Sequence, residues 1–264
     1  MDTKRRVALV TGATGAIGEA IAHGLASDHA FEVVLTSRDA RRGQEMATNI
    51  ARATGNPAVR SKTVDLSLRA SISELVARWT GPLHVLVHNA ADTPRRRRET
   101  GEGLEVQFAT NVMGYFWLTT GLSDALAEAK PSRVVMVASY WAGGLDLDDL
   151  QFERRRYDND AAYRQSKQAD RMLAVAFAKR LGPRGVTVNA CHPGDVNSRL
   201  SNSLGFGGHE TPEQGAATPL WLATAPVGGE VTGKYFEHRR EAQCRFGADT
   251  AAVEALFAAC ARHQ

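Results

Sequence analysis

The stretch Val7-Ala8-Leu9-Val10-Thr11-Gly12-Ala13-Thr14-Gly15-Ala16-Ile17-Gly18 decides how this chain folds. Val7 to Thr11 are apolar or β-branched without alternation, the pattern of a strand covered on both faces. Gly12, Gly15 and Gly18 follow at a strand-to-helix turn, where missing side chains let the backbone approach a pyrophosphate. The helix from Ile17 presents unpaired N–H groups and the positive end of its dipole to the same spot. An ordinary glycine-rich turn is the rival reading; a position between first strand and first helix favours the anion. Gly12, Thr14, Gly15, Ala16, Ile17 and Gly18 are therefore candidate cofactor-binding residues.

Outward from this turn, the strand-then-helix pattern repeats. Strands are expected at 7–11, 32–36, 58–64, 83–87, 133–138 and 186–190, with a seventh at 234–236. Helices are expected over 17–26, 40–53, 69–79, 161–181 and 213–223, with one long stretch from 102 to 129. Ala251, Val253, Leu256, Phe257 and Cys260 suggest a last helix with one apolar face. Strands apolar on both faces that alternate with helices imply a parallel sheet covered on both sides. No linker, repeat or low-complexity tract divides the chain. The expectation is one α/β domain over residues 1–264, a doubly wound parallel sheet of about seven strands in the Rossmann manner.

Composition sets outer bounds. The chain has 264 residues, 43% hydrophobic and 23% charged, with a net charge of +3, so it can build a sizeable core and has no strongly basic character. Two basic clusters, Arg95 to Arg98 and Arg154 to Arg156, read as solvated surface rather than a nucleic-acid stripe. Cys191, Cys244 and Cys260 are odd in number and lack metal-ligand spacing, so neither a disulfide framework nor a metal is expected, and a reducing cytoplasm fits. No stretch approaches the roughly 18 apolar residues of a membrane span, and the run at Val7 to Val10 is too short for a signal-peptide core.

The second strand bears on cofactor choice. It ends Thr36-Ser37-Arg38, where an acidic residue would bind a ribose 2′-hydroxyl. Arg38 instead offers a planar fork suited to phosphate, with Arg41 and Arg42 nearby. Asp39 lies one position too late and reads as the cap of the next helix. NADP(H) is favoured over NAD(H).

Tyr163-Arg164-Gln165-Ser166-Lys167 lies early in a helix, and residues four apart share a face. A phenol near pKa 10 is a poor acid-base group at neutral pH, and a neighbouring ammonium is expected to lower it. Ser139 ends the fifth strand, where such sheets place ligands, and its hydroxyl could hold a carbonyl oxygen. Asn111 sits in the long helical stretch, either solvated or capping.

Together these residues make the chain resemble the short-chain dehydrogenase/reductase family nearly end to end. The matching pieces are the glycine turn, Arg38, Val64-Asp65-Leu66, Asn89-Ala90-Ala91, Asn111, Ser139, Tyr163 with Lys167, and Pro193-Gly194. Gln107-Phe108-Ala109-Thr110-Asn111, His192-Pro193-Gly194, Thr211-Pro212-Glu213-Gln214-Gly215-Ala216 and Val231-Thr232-Gly233-Lys234-Tyr235-Phe236 are similar to its retinol dehydrogenase-like branch. The resemblance implies that Tyr163 exchanges a proton with the substrate, Lys167 lowers its pKa and binds the nicotinamide ribose, and Ser139 orients the substrate. It further implies that Asn111 holds a water linked to Lys167. Asp65 and Leu66 would meet the adenine, Asn89 and Ala90 would line the cofactor floor, and Pro193, Gly194 and Val196 would flank the nicotinamide. Two positions depart from the family pattern, Ala16 in the turn and Ala91 after the fourth strand.

Residues 195–210 are rich in Ser, Asn and Gly and are expected to be a substrate lid. Val196, Leu200, Leu204 and Phe206 in the lid suggest a small apolar or aromatic substrate, with Tyr140 and Trp141 as a wall or as packing. The leading expectation is an NADP(H)-dependent carbonyl reductase, an enzyme interconverting a carbonyl and an alcohol. Two alternatives are a non-catalytic NADP(H) sensor and a sugar-nucleotide epimerase or dehydratase. Small-molecule substrate is the expected partner, with a homo-oligomer left open and no nucleic acid or membrane expected.

Overall fold

The computed structural model describes residues 5–263. Its sheet has eight strands in the order β3-β2-β1-β4-β5-β6-β7-β8. These are β1 (Arg6–Val10), β2 (Phe31–Ser37), β3 (Val59–Thr63), β4 (Val85–His88), β5 (Ser132–Val137), β6 (Val186–Cys191), β7 (Tyr235–Glu237) and β8 (Arg240–Ala242). Every pairing is parallel except β7 with β8.

The unbroken apolar runs make this sheet a partition between two cores. Successive side chains of a strand point to opposite faces. Leu9, Val34, Leu86, Val134 and Met136 enter one core, while Ala8, Val10, Val33, Leu35, Val85, Val87 and Val135 enter the other. Helices α1 (Ala16–Ser27) and α2 (Ala40–Thr54) cover the second face, and α3 (Arg69–Ala77) belongs to the first. The strand order reverses direction at β1 and β4, whose register pairs Leu9 with Leu86. A crevice forms beyond the carboxyl ends of strands at such a switch point.

The expected helix over 102–129 is corrected. Glu99 and Glu105 pair in an antiparallel bridge around Gly101 and Gly103, and Gly103 takes φ of 79°. Glu102 faces backwards, and its carboxylate accepts the N–H groups of Arg69 and Ala70 at the start of α3. The first turn of α3 lacks an acidic residue of its own, so this distant carboxylate satisfies donors left open there. The helical path then runs through a wide π-type segment, Phe108–Met113, into α4 (Gly114–Gly121) and α5 (Ser123–Glu128). Gly114 donates to the carbonyl of Ala109, five residues back.

Helix α6 (Asn159–Leu181) is capped by Asp158 and lies against β6 and the last helix. Short helix α7 (Arg199–Ser203) lies inside the 195–210 segment, ahead of α8 (Pro212–Thr224) and α9 (Val227–Glu230). The chain ends with α10 (Arg245–Ala248) and α11 (Thr250–Ala261). Strand β8 adds one to the seven expected, and it turns back from β7 through His238 and Arg239, both at positive φ. Among the described residues no helix is long and apolar enough to cross a membrane.

Candidate active site

A groove of about 560 Å³ opens beyond the carboxyl ends of β1, β2 and β4. Its floor is stitched across the switch point. Thr11 Oγ1 accepts the N–H groups of Asn89 and Ala90 at 2.9 and 3.1 Å, and Asn89 Nδ2 donates to the Thr11 carbonyl at 3.1 Å. The glycine turn follows from this crowding. A Cβ on Gly18 would overlap the Gly12 carbonyl oxygen and the Asn89 amide, and one on Gly12 would overlap Ala90. Gly15 has open space on its groove side, with the Gly12 oxygen 3.4 Å from where a Cβ would stand. Backbone is thus exposed at the start of α1, as a pyrophosphate requires.

Gly12, Thr14, Gly15, Ala16, Ile17, Gly18, Arg38, Asp65, Leu66, Asn89 and Ala90 all line this groove, and so does Ala91. Ala16 occupies the first position of α1 and leaves the groove open. Arg38 reaches across its mouth to Asp92 at 3.2 Å. Asp39 caps α2 by accepting the Arg42 N–H at 3.0 Å. Asp65 accepts both the N–H and the hydroxyl of Ser67. Asp92, Thr93, Thr110, Ser198, Arg199 and Ser203 also line the groove and carry no strong sequence signal. Ser203 bonds Thr93 across a separation of 110 residues, which ties α7 over the groove. Leu200, expected beside a substrate, stands in the same groove wall. Pro193, Gly194 and Val196 lie past β6 and do not line it; Val196 is buried against Gly215.

Tyr163 and Ser139 meet, both buried, Tyr163 from α6 and Ser139 just past β5. Burial pushes the Tyr163 phenol well above its ordinary value, the Ser139 hydroxyl pulls it down, and Asp170, Asp160 and Asp195 raise it further. This differs from the expected lowering by Lys167. The Lys167 ammonium lies 5.9 Å from the Tyr163 ring centre, donating instead to the Val137 carbonyl at 2.9 Å and to Asp170 Oδ2 at 2.8 Å. Asp170 and Tyr115 were absent from the expected site. The signal for Asp170 was its place one helical turn beyond Lys167, on the same face.

Asn111 is fully buried and occupied. Its Oδ1 accepts the Asp92 N–H at 2.8 Å, and its Nδ2 donates to the Asp92 carbonyl and to Ser166 Oγ, each at 3.1 Å. It therefore fastens the loop after β4 to α6, from within the π-type segment. A π-type turn widens the helix and re-aims the side chains it carries.

Aromatic rings cluster at the residues that follow Ser139 in the chain. Tyr140 packs edge-on against His192 at 4.6 Å, and Trp141 meets Phe206 at 4.4 Å. Burial drives the His192 imidazole down to about 3, with His238 and Arg171 adding to the shift, so it is neutral at ordinary pH. The cluster is thus uncharged at His192, with Trp141 and Phe206 as its apolar members.

The chain is similar to known proteins over most of its length. A model of the family described as short chain dehydrogenase matches residues 6–205. A protein of Streptomyces antibioticus described as "Probable oxidoreductase" is 37% identical, over 92% of this chain and 88% of its own. Retinol dehydrogenase 13 of Mus musculus is 35% identical, over 89% of this chain and 76% of its own. Among solved structures, an uncharacterised Mycobacterium paratuberculosis protein superposes with a TM-score of 0.83 at 26% identity, over 97% of this chain and 92% of its own. The Pseudomonas aeruginosa RhlG/NADP active-site complex gives 0.69 at 25% identity, over 88% and 93%. The chain belongs to the short chain dehydrogenase family, on its retinol dehydrogenase-like branch, and is an oxidoreductase.

Proposed function

We propose that this family member is an NADP(H)-dependent oxidoreductase interconverting a carbonyl and an alcohol on a small apolar or aromatic substrate. The observation that carries the reading is the Ser139 hydroxyl bonded to the buried Tyr163 phenol, in a chain whose strand ends also hold an arginine-lined groove. NADP among the solved relatives' ligands supports the cofactor class. Arg38 and Arg42 on the groove support the phosphorylated form, since guanidinium groups suit a 2′-phosphate.

The glycine turn and the start of α1 would hold the pyrophosphate, and Asp65 and Leu66 the adenine. Bound there, the nicotinamide supplies or accepts a hydride. Tyr163 gives its phenolic proton to the carbonyl oxygen as the carbon becomes an alcohol, and takes it back in the reverse direction. Ser139 holds that oxygen in place. Lys167 offers the positive charge that stabilises the Tyr163 phenolate left behind. Trp141, Phe206 and Tyr140 receive the apolar part of the substrate.

The test uses NADPH carrying deuterium at both C4 positions, with a panel of aromatic aldehydes and ketones. One deuterium on the carbinol carbon of the product is expected. Product lacking deuterium, or no product across the panel while NADPH binds, would overturn the reading.

A further inference from the structure

Beneath Tyr163 lies a charged pair that the proposed chemistry does not explain. Lys167 is 2% exposed and Asp170 0%. The ammonium has three donors. One goes to the Val137 carbonyl and one to Asp170 Oδ2, and the third faces Tyr115, whose ring centre is 5.3 Å away. None is left for a ligand in the groove, and Lys167 does not line that groove.

Helix geometry makes this placement informative. Residues three and four apart share a helix face, so Tyr163, Lys167 and Asp170 lie on one side of α6, and the Asp170 side chain leans back toward Lys167. The ammonium bonds Asp170 at 2.8 Å and lies 5.9 Å from the Tyr163 ring centre. Buried titratable groups that face the pair from neighbouring elements are held toward their neutral forms. His88 on β4 is held down at about 3 by burial and by Lys167. Burial raises Tyr115 on α4 and Cys191 on β6, and lifts Cys260 on α11 to about 12. The pair is also incomplete, since buried Asp170 Oδ1 has no hydrogen-bond partner. A half-satisfied carboxylate in the interior is costly for stability alone.

We propose that Asp170 is a positioning residue that competes with the cofactor groove for the Lys167 ammonium, so that ligand binding must draw Lys167 off the carboxylate toward Tyr163. This rests on the nicotinamide-binding reading of the groove. Asp170 touches no reacting atom; it acts through Lys167 and through its charge. A buried pair that merely stabilised the fold would affect melting and leave NADP⁺ affinity unmoved.

The test compares wild type with Asp170→Asn and Asp170→Glu. Titration of Tyr163 in the protein alone is read from tyrosinate absorbance, as the difference from matching Tyr163→Phe variants. Asp170→Asn is expected to lower its midpoint by about one unit or more, because a nearby negative charge is gone. Asp170→Glu is expected to keep the wild-type midpoint. Binary NADP⁺ affinity is expected to rise about tenfold in Asp170→Asn, with Lys167 released. Unmoved NADP⁺ affinity in a folded Asp170→Asn would overturn the proposal, whatever the midpoint does. Should that variant fail to fold, a crystal structure of wild type with NADP⁺ decides instead: Lys167 Nζ is expected beyond hydrogen-bond reach of Asp170, and an intact pair would overturn it. Absence of NADP⁺ binding by wild type overturns the reading of the groove; binding without response to Asp170→Asn overturns the role of Asp170.

Discussion

Arg38 and Asp92 form an ion pair of 3.2 Å across the mouth of the groove, joining the end of β2 to the loop after β4. The guanidinium side is 69% exposed and the carboxylate side 25%, so the arginine keeps donors free for an incoming anion. A 2′-phosphate would compete with Asp92 for the same fork. Arg38→Ala is expected to weaken NADPH binding roughly tenfold to hundredfold, the size of a charge-assisted hydrogen bond, with little change for NADH. Asp92→Asn is expected to tighten NADPH. Equilibrium binding of both cofactors to both variants checks the pair of outcomes.

Gly18 is fixed by its neighbours. Gly18→Ala forces a methyl group into the Gly12 carbonyl and the Asn89 amide. Overpacking of this kind costs about 1–3 kcal/mol. The expected result is a melting temperature lower by several degrees, together with a loss of cofactor affinity. Gly15→Ala should be milder for stability, because its neighbour is 3.4 Å away. Thermal melts with and without NADP⁺ separate the two effects.

Trp141 and Phe206 form the apolar wall at a ring separation of 4.4 Å. Aromatic contacts contribute about 0.5–1.5 kcal/mol beyond their buried area. Trp141→Ala is therefore expected to raise KM for aromatic aldehydes several-fold to tenfold, with a smaller effect on short aliphatic ones. Steady-state kinetics on matched aldehydes checks it. Equal effects on both classes would make Trp141 a packing residue.

Asp149 organises the segment that carries Arg154 to Arg156. Burial raises its carboxyl, but the Arg155 guanidinium and the N–H groups of Arg155, Glu153 and Arg154 outweigh this and hold it at about 2. A group depressed in the folded state adds stability above its unfolded value, and that contribution is lost as pH falls through the folded value. Asp149→Asn is thus expected to be less stable than wild type above about pH 4, with the difference vanishing as pH falls toward about 2. Urea unfolding across that range measures the convergence.

Much of this was legible in the residues. The strands announced themselves because a sheet buried on both faces needs continuous apolar runs, as in Val33-Val34-Leu35 and Val134-Val135-Met136. Ser139 and the glycine turn were read from where strands end, and Tyr163 from its four-residue spacing to Lys167 on one helix. Strand β8 did not, because Arg240-Glu241-Ala242 is a short edge strand and its turn uses His238 and Arg239 in place of the usual glycine or asparagine. The true start of the long helical stretch was hidden because Glu102 satisfies the end of a different helix, more than thirty residues back. Spacing placed Lys167 on the face of Tyr163, but it did not reveal that the ammonium bonds Asp170. Periodicity reports which face a side chain occupies, not which partner its end bonds.

The most direct measurement is NADPH oxidation, followed by absorbance, with the same carbonyl panel for wild type and Tyr163→Phe at saturating cofactor. The account predicts turnover by wild type and at least about a hundredfold loss in the variant, in line with removal of a general acid, while NADPH affinity stays within a few-fold. Undiminished turnover in Tyr163→Phe would contradict Tyr163 as the proton donor.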